Sequence, residues 1–171
     1  GVEIFGSKEP SCDAEAINLA ITYLNKLGFK NLKVELNSLG CPRCRKVYRE
    51  KIKEVLKPYL DELCDDCKLR YKKNPLRILD CKEEHCQNIL AKSEIADVIN
   101  ADFICDECKQ HFSDVKNFLD VLSIPYVVNK LLVRGLDYYT RTVFEVKSED
   151  LGAQSAILGG GRYDGLVEAN I

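Results

Sequence analysis

Apolar residues recur along this chain with two different periods, and the switches between them mark out its parts. After an opening run with the look of a strand, Gly1-Val-Glu-Ile-Phe-Gly6, residues Ile17, Ala20, Ile21, Leu24 and Leu27 fall at helical spacing. Ser11 or Asp13 stands where a helix cap belongs, and Gly28 where the helix would end. Leu32-Lys-Val-Glu-Leu36 then alternates apolar with charged side chains, the period of a half-buried strand, and Asn37-Ser-Leu-Gly40 closes it. Residues 1–37 therefore predict strand, helix, strand.

From Cys41 to about Pro125 the helical period takes over. One helix is expected over residues 43–63, with Val47, Ile52, Val55, Leu56, Tyr59 and Leu63 facing inward and Pro58 kinking or interrupting it. Another includes His111 to Leu122, burying Phe112, Val115, Leu119 and Leu122 until Ile124-Pro125 stops it. The strand signature returns in Tyr126–Val128, in Tyr139–Val146 and in Ala156–Leu158 ahead of three glycines. Two strand-bearing parts separated by a helical block predict an α+β fold. A sheet domain (residues 1–40 and 126–171) carries a mainly helical, cysteine-rich domain inserted at 41–125.

Composition narrows the classes. The 171 residues are 46% hydrophobic and 30% charged, as in ordinary globular proteins. Twenty-five basic against 27 acidic residues leave a net charge of −2, so any nucleic-acid contact must be local. No apolar stretch approaches the roughly 20 residues that span a bilayer, and residues 1–20 lack the apolar centre of a signal peptide. The expectation is a soluble, cytoplasmic protein with no membrane partner. Methionine is absent even at position 1, and the strand-like start suggests a piece cut from a longer protein.

Eight of the nine cysteines fall within the helical block. Cys41/Cys44, Cys64/Cys67 and Cys105/Cys108 are Cys-x-x-Cys pairs, and Cys81 with Cys86 forms a looser fourth. Without a secretory signal, metal binding or redox chemistry explains them better than a disulfide framework. Two pairs converging on one ion make the tetrahedral thiolate site of structural zinc, so eight sulfurs suit two ions. Spacing does not fix the partners. Cys41/Cys44 with Cys105/Cys108, and Cys64/Cys67 with Cys81/Cys86, is the favoured arrangement, and reduced or partly disulfide-bonded cysteines remain the alternative. Cys12 is expected to be a buried small side chain, His85 a surface residue, His111 a helix residue near the core, and Lys72-Lys73 part of a solvated face.

The densest chemistry lies in Leu132-Val-Arg-Gly-Leu-Asp-Tyr-Tyr-Thr-Arg-Thr142. A guanidinium fork suits phosphate oxygens, while paired tyrosines offer a flat wall and hydroxyl groups for a polar ligand. Strand alternation would send Tyr138 and Tyr139 to opposite faces. Gly159-Gly-Gly-Arg-Tyr-Asp-Gly165 permits close backbone approach to a ligand. It lacks the lysine and spacing of a P-loop and the spacing of a dinucleotide fingerprint.

Taken together, Val133-Arg-Gly-Leu-Asp-Tyr-Tyr139 and Gly159-Gly-Gly-Arg-Tyr-Asp-Gly165 resemble the two histidine-specific motifs of the histidyl-tRNA synthetases, a class II aminoacyl-tRNA synthetase family. Gly1–Gly6 resembles the last strand of the class II second motif, and Asp13-Ala-Glu15 falls where that family begins its next helix. The resemblance covers nearly the whole chain and implies part of an antiparallel-sheet catalytic domain. It implies that Arg134 contacts the α-phosphate of ATP while the carboxylate of histidine attacks, and that Glu3 and Tyr139 read the imidazole. Tyr138 and Tyr163 would line the same pocket, with Gly159, Gly160 and Gly161 as its floor. L-histidine, ATP with Mg²⁺, and tRNA(His) are the implied ligands, a homodimer the implied assembly, and the tRNA acceptor stem the implied neighbour of the inserted domain. No residues match the first or third class II motif, most of the second, or the anticodon-binding domain, so this stretch alone is not expected to form adenylate. Two rival readings differ in class. One is the synthetase-like regulatory subunit of ATP phosphoribosyltransferase, which senses histidine. The other is a zinc-dependent nucleic-acid-binding module, against which the near-neutral charge counts.

Overall fold

Val34 and Leu36 are fully buried while Lys33 lies exposed between Leu32 and Val34, so the alternation in the sequence is the alternation of a sheet with one covered face. A computed structural model describes residues 1–101, 103–135, 138–148 and 156–166. Strand β1 (Leu32–Ser38) lies between β2 (Tyr126–Val128) and β3 (Thr140–Ser148), and β4 (Ala156–Arg162) flanks β3. β1–β3 and β3–β4 are antiparallel, whereas β2 runs parallel to β1. A parallel neighbour requires a crossover, and here the crossover is the whole cysteine-rich block.

Two cores result. Val34, Leu36, Phe144 and Val146 on one face of the sheet are covered by helix α1 (Pro10–Lys26), through Ala14, Ile17 and Leu24, and by the last helix of the block, through Phe112, Val115 and Leu119. The second core lies within the block. Ile52 and Leu56 of helix α2 (Pro42–Leu56) meet Leu76, Ile78, Ile89 and Ile95 there, and Leu39, Leu132, Val133 and Val143 join it to the sheet. Helices α3 (Asp65–Lys73), α4 (Glu84–Leu90) and α5 (Ser93–Asn100) complete the block, and α6 (Asp106–Val121) leads back to the sheet. No helix among the described residues is long and apolar enough to cross a membrane.

Several local expectations are corrected. Residues 1–6 form no strand: Val2, Ile4 and Phe5 are exposed, and no described strand lies beside them to take their backbone hydrogen bonds. α1 begins at Pro10 with Glu9 at the cap, not at Ser11 or Asp13, because proline in a first turn sacrifices no helical hydrogen bond. The helix expected over 43–63 ends at Leu56. Pro58 removes an amide donor, and the chain tightens into a 3₁₀ turn, Lys57–Glu62. Val47 is 49% and Leu122 44% exposed, because each lies at the edge of its helix's apolar stripe. Cys12 is half-buried rather than buried. β4 runs on through the glycines to Arg162.

A buried ion cluster fastens these layers. The Asp13 carboxylate lies 2.9 Å from Arg162 Nη2 on β4 and 2.8 Å from His111 Nε2 on α6. Arg162 also donates to the Glu9 carbonyl at 2.9 Å and to Asp164 at 2.8 Å. Arg141 faces Nδ1 of the same imidazole at 3.3 Å, so Nδ1 accepts and the proton sits on Nε2, facing Asp13. Burial pushes the Asp13 carboxyl up, but the hydrogen bond from His111 and the charge of Arg162 outweigh it and hold it below its usual value of 3.8. A depressed carboxylate contributes stability that is present above its unfolded value and lost as pH falls through its folded one. Asp13→Asn should therefore cost about 3 kcal/mol at neutral pH, with the gap to the parent closing in acid, as read by denaturant unfolding at a series of pH values.

Candidate functional site

The open face of the sheet is assembled from the loop before β3. Asn37 of β1, 5% exposed, donates from Nδ2 to the carbonyls of Lys130 at 3.2 Å and Leu132 at 3.0 Å, while Leu132 and Val133 bury their side chains in the second core. Arg134 is thereby sent across the face. Its guanidinium lies against Gly159, where a Cβ would stand 2.6 Å from Nη1 and 2.8 Å from Cζ. Glu145, directly opposite Gly159 in the β3–β4 register, accepts from Nη1 at 2.5 Å.

The three glycines divide by face. A Cβ on Gly161 would meet Tyr139 Cδ1 at 2.9 Å and the Thr142 carbonyl at 2.6 Å, so it lies on the same side as Gly159. One on Gly160 would strike the Phe144 ring at 2.9 Å, on the helix-covered side. Side chains at Gly159 and Gly161 would fill the space that Arg134 and Tyr139 occupy; at Gly160 the conflict is with the core.

Three phenol rings close the other side. Tyr138 and Tyr139 stand 4.7 Å apart, and Tyr163 meets Tyr138 edge-on at 6.0 Å. The expected opposite orientation of Tyr138 and Tyr139 does not occur, because both precede β3, which begins at Thr140, and strand alternation does not reach them. Burial pushes the Tyr139 phenol up, and the neighbouring Tyr138 adds to this while Arg134 opposes it. Burial and then the Glu3 carboxylate push Tyr163 up as well, which places Glu3 beside that ring. Leu136 and Asp137 lie outside the described residues.

Glu3, Arg134, Tyr138, Tyr139 and Tyr163 are thus brought together over Gly159 and Gly161. A fixed cation beside an aromatic wall, above a floor without side chains, suits a ligand that combines an anionic group with a small flat polar ring. Sequence reasoning missed Glu145, Asn37 and Arg45, whose Nη1 donates to the Tyr139 carbonyl at 2.8 Å. Only Glu145 left a trace, as a charge directly across a strand pair from a glycine.

The cysteines form two groups of four, Cys41/Cys44/Cys105/Cys108 and Cys64/Cys67/Cys81/Cys86, with all sulfurs of each group within 4.8 Å of one another. All nine cysteines are free thiols; the 3.5 Å between the Cys41 and Cys44 sulfurs is far beyond a disulfide bond of about 2 Å. Cys41, Cys64 and Cys105 each occupy the N-cap of a helix, where exposed amides and the helix dipole favour thiolate. The amides also donate crosswise: Cys41 N to Cys108 Sγ at 3.2 Å, Cys105 N to Cys44 Sγ at 3.1 Å, and Cys64 N to Cys86 Sγ at 3.3 Å. Burial pushes the Cys41 thiol up, but hydrogen bonds from Cys44 and the Arg43 amide bring it down to about 6. Burial dominates at Cys86 and Cys108, which are pushed up to about 11 and about 12. His85 is exposed and stands outside both groups.

No protein-family model matches the chain. Over 168 residues, 98% of its length, it is 54% identical to the histidine–tRNA ligase of Caldanaerobacter subterraneus subsp. tengcongensis and 51% identical to that of Desulforamulus reducens. The chain belongs, as a segment, to the histidine–tRNA ligases. It spans 39% of the length of those two relatives. The apo histidyl-tRNA synthetase of S. aureus matches 95% of this chain with a TM-score of 0.69 and 36% identity, and the match takes in 38% of that structure. A Bacillus halodurans structure described as an ATP phosphoribosyltransferase regulatory subunit/histidyl-tRNA synthetase shares the fold, at a TM-score of 0.56 and 20% identity.

Gly159→Ala places a methyl group where the Arg134 guanidinium lies. The flexible arginine would yield and the strand would persist, so the substitution should shift the Arg134 guanidinium off Glu145 while the melting temperature stays unchanged. A crystal structure of the variant beside a thermal melt checks both.

Proposed function

We propose that this chain is the histidine-binding part of a histidine–tRNA ligase, and that the longer polypeptide joins L-histidine to ATP as histidyl-adenylate and then transfers histidine to tRNA(His). The observation that carries this reading is the Arg134 guanidinium, seated on Gly159, held by Glu145 and flanked by Tyr139. As the amino-acid carboxylate attacks the α-phosphorus, negative charge grows on the phosphoryl oxygens, and a fixed guanidinium stabilises it without moving a proton. Mg²⁺ carried on ATP would supply positive charge for the pyrophosphate oxygens; no residue of this chain is assigned to it.

Neutral imidazole presents one N–H and one lone pair. Glu3 supplies the acceptor for the first. Tyr139 and Tyr163, both pushed up and therefore protonated at neutral pH, supply hydroxyl donors for the second, and Tyr138 walls the ring. A pocket built on those bonds rejects side chains that leave them unmade. Gly159 and Gly161 form the floor, and Gly160 contributes backbone alone.

Residues 1–40 and 126–171 form the catalytic part. Residues 41–125 form the inserted domain, with α6 as the element shared with the core and the tRNA acceptor stem as its neighbour. Each cysteine tetrad holds one structural zinc ion: eight sulfurs in two groups, with amides already aimed at them, match four-thiolate coordination. The working form is a cytoplasmic homodimer. The 54% identity supports the ligase over the histidine-sensing regulatory subunit.

Histidine-dependent ATP–pyrophosphate exchange by the intact protein tests the reaction. Arg134→Ala should lower the exchange rate by about a thousandfold, and histidine binding without exchange would transfer the chain to the regulatory class. Elemental analysis should find two zinc ions per chain, with release as acid protonates the thiolates; a zinc-free, fully active protein would sink the metal reading.

A further inference from the structure

The two tetrads occupy different places in the fold. Cys64, Cys67, Cys81 and Cys86 come from the start of α3, the end of the 3₁₀ turn Pro75–Asp80, and α4, three of them inside the second core and Cys64 packed against it. Cys41, Cys44, Cys105 and Cys108 come from the first turns of α2 and α6. That second group is the neck, where the chain leaves the sheet after Gly40 and turns back toward it. Gly40, at φ +68°, is pressed onto the neck: a Cβ there would stand 2.5 Å from Cys44 Cβ and 3.0 Å from Ile104 Cγ2.

The neck is wired to the start of β3. The Gly40 carbonyl accepts from Arg141 N at 2.9 Å, and Leu39 N donates to the Arg141 carbonyl at 2.7 Å. Arg141 has φ +50°, a left-handed conformation that costs a side-chain-bearing residue, and it sits at the register irregularity between Thr140 and Val143. Such a kink persists only where its surroundings over-determine it. Its side chain is held by Glu107 and by His111, both on α6 within three residues of Cys108. Arg45, next to Cys44, donates to the carbonyl of Tyr139, two residues before the kink. Beyond the kink lie Tyr139 against Gly161 and Arg134 on Gly159.

Two helix N-termini meet at the neck, and their positive ends repel unless negative charge lies between them. A four-thiolate zinc centre carries a net negative charge and sits where both sets of amides already point. We propose that the ion at Cys41/Cys44/Cys105/Cys108 is a positioning centre for the histidine pocket: it locks the first turns of α2 and α6 together and so holds the Arg141 kink that sets Tyr139, whereas the distal ion lies apart from that kink and reaches the pocket only through the folding of the second core. The inference rests on the zinc reading of the tetrads and on the histidine reading of the pocket.

Coupling of this kind is reciprocal: if the neck ion tightens histidine binding, histidine tightens the neck ion by the same factor. The intact ligase is titrated with a chromogenic zinc chelator, with and without saturating L-histidine. Of the two ions, one should become about tenfold harder to remove when histidine is present and the other should not change. Cys105→Ser/Cys108→Ser identifies the protected ion as the neck ion and should raise the KM for histidine about tenfold, leaving that for ATP within about twofold. Arg45→Ala keeps all eight sulfurs and needs no loss of metal to be informative. It should retain two zinc ions, raise the histidine KM and abolish the protection.

Two zinc ions released equally with and without histidine, in a protein that binds histidine, would overturn the positioning role while leaving both underlying readings intact. Protection of the distal ion instead would overturn it too. An unmodified protein without zinc would overturn the metal reading, and one that ignores histidine the pocket reading, each taking this proposal with it.

Discussion

A carboxylate stripped of water is tolerable only where cations and donors replace the lost solvent, and the fold is organised around one such place. Asp13 is surrounded by Arg162 from β4 and His111 from α6, and Arg162 reaches on to the backbone at Ser7 and Glu9. Three stretches far apart in sequence are thereby held in one geometry, which the apolar layer of Ile17, Val115 and Phe144 could approximate but not fix. Hydrophobic burial is non-directional; a buried ion pair with a shared imidazole has one arrangement that satisfies it. The edge strand that carries the glycines owes its position to that arrangement, since Arg162 is its last residue.

The glycine strand shows how absence of side chains becomes a structural element. Gly159 gives its space to Arg134, Gly161 to Tyr139, and Gly160, on the other face, to Phe144. The site is therefore not a cavity cut into the protein but a stretch of sheet left bare, on which charged and aromatic groups from a preceding loop can lie flat. Glu145 prevents the guanidinium from drifting along that surface.

Much of this was legible in the sequence, for local reasons. Strands β1, β3 and β4 announced themselves by alternation or by β-branched residues, and the cysteine spacings suggested two sites of four without fixing which pairs share one, a choice that the fold makes. What escaped was long-range or depended on context. Residues 1–6 have strand-like composition, but a strand exists only beside another. Tyr138 and Tyr139 follow the turn that carries them, not the strand that succeeds them. Asp13 looked like a cap because caps are local, whereas its partners lie on α6 and β4. Asn37 and Arg45 gave no signal, since each acts on a carbonyl whose nearness only the tertiary fold creates.

The adjacency of Gly40 and Ile104 has a consequence for how such a protein can vary. A segment that departs and returns through neighbouring residues closes its own loop, so its length can change without shifting the register of the sheet. Only its outer faces are free in this way, because α6 covers one side of the sheet and Leu132, Val133 and Val143 are packed into the block's own core. The helical block is a tool head whose outer shape can vary while its collar and inner face stay tied to the handle.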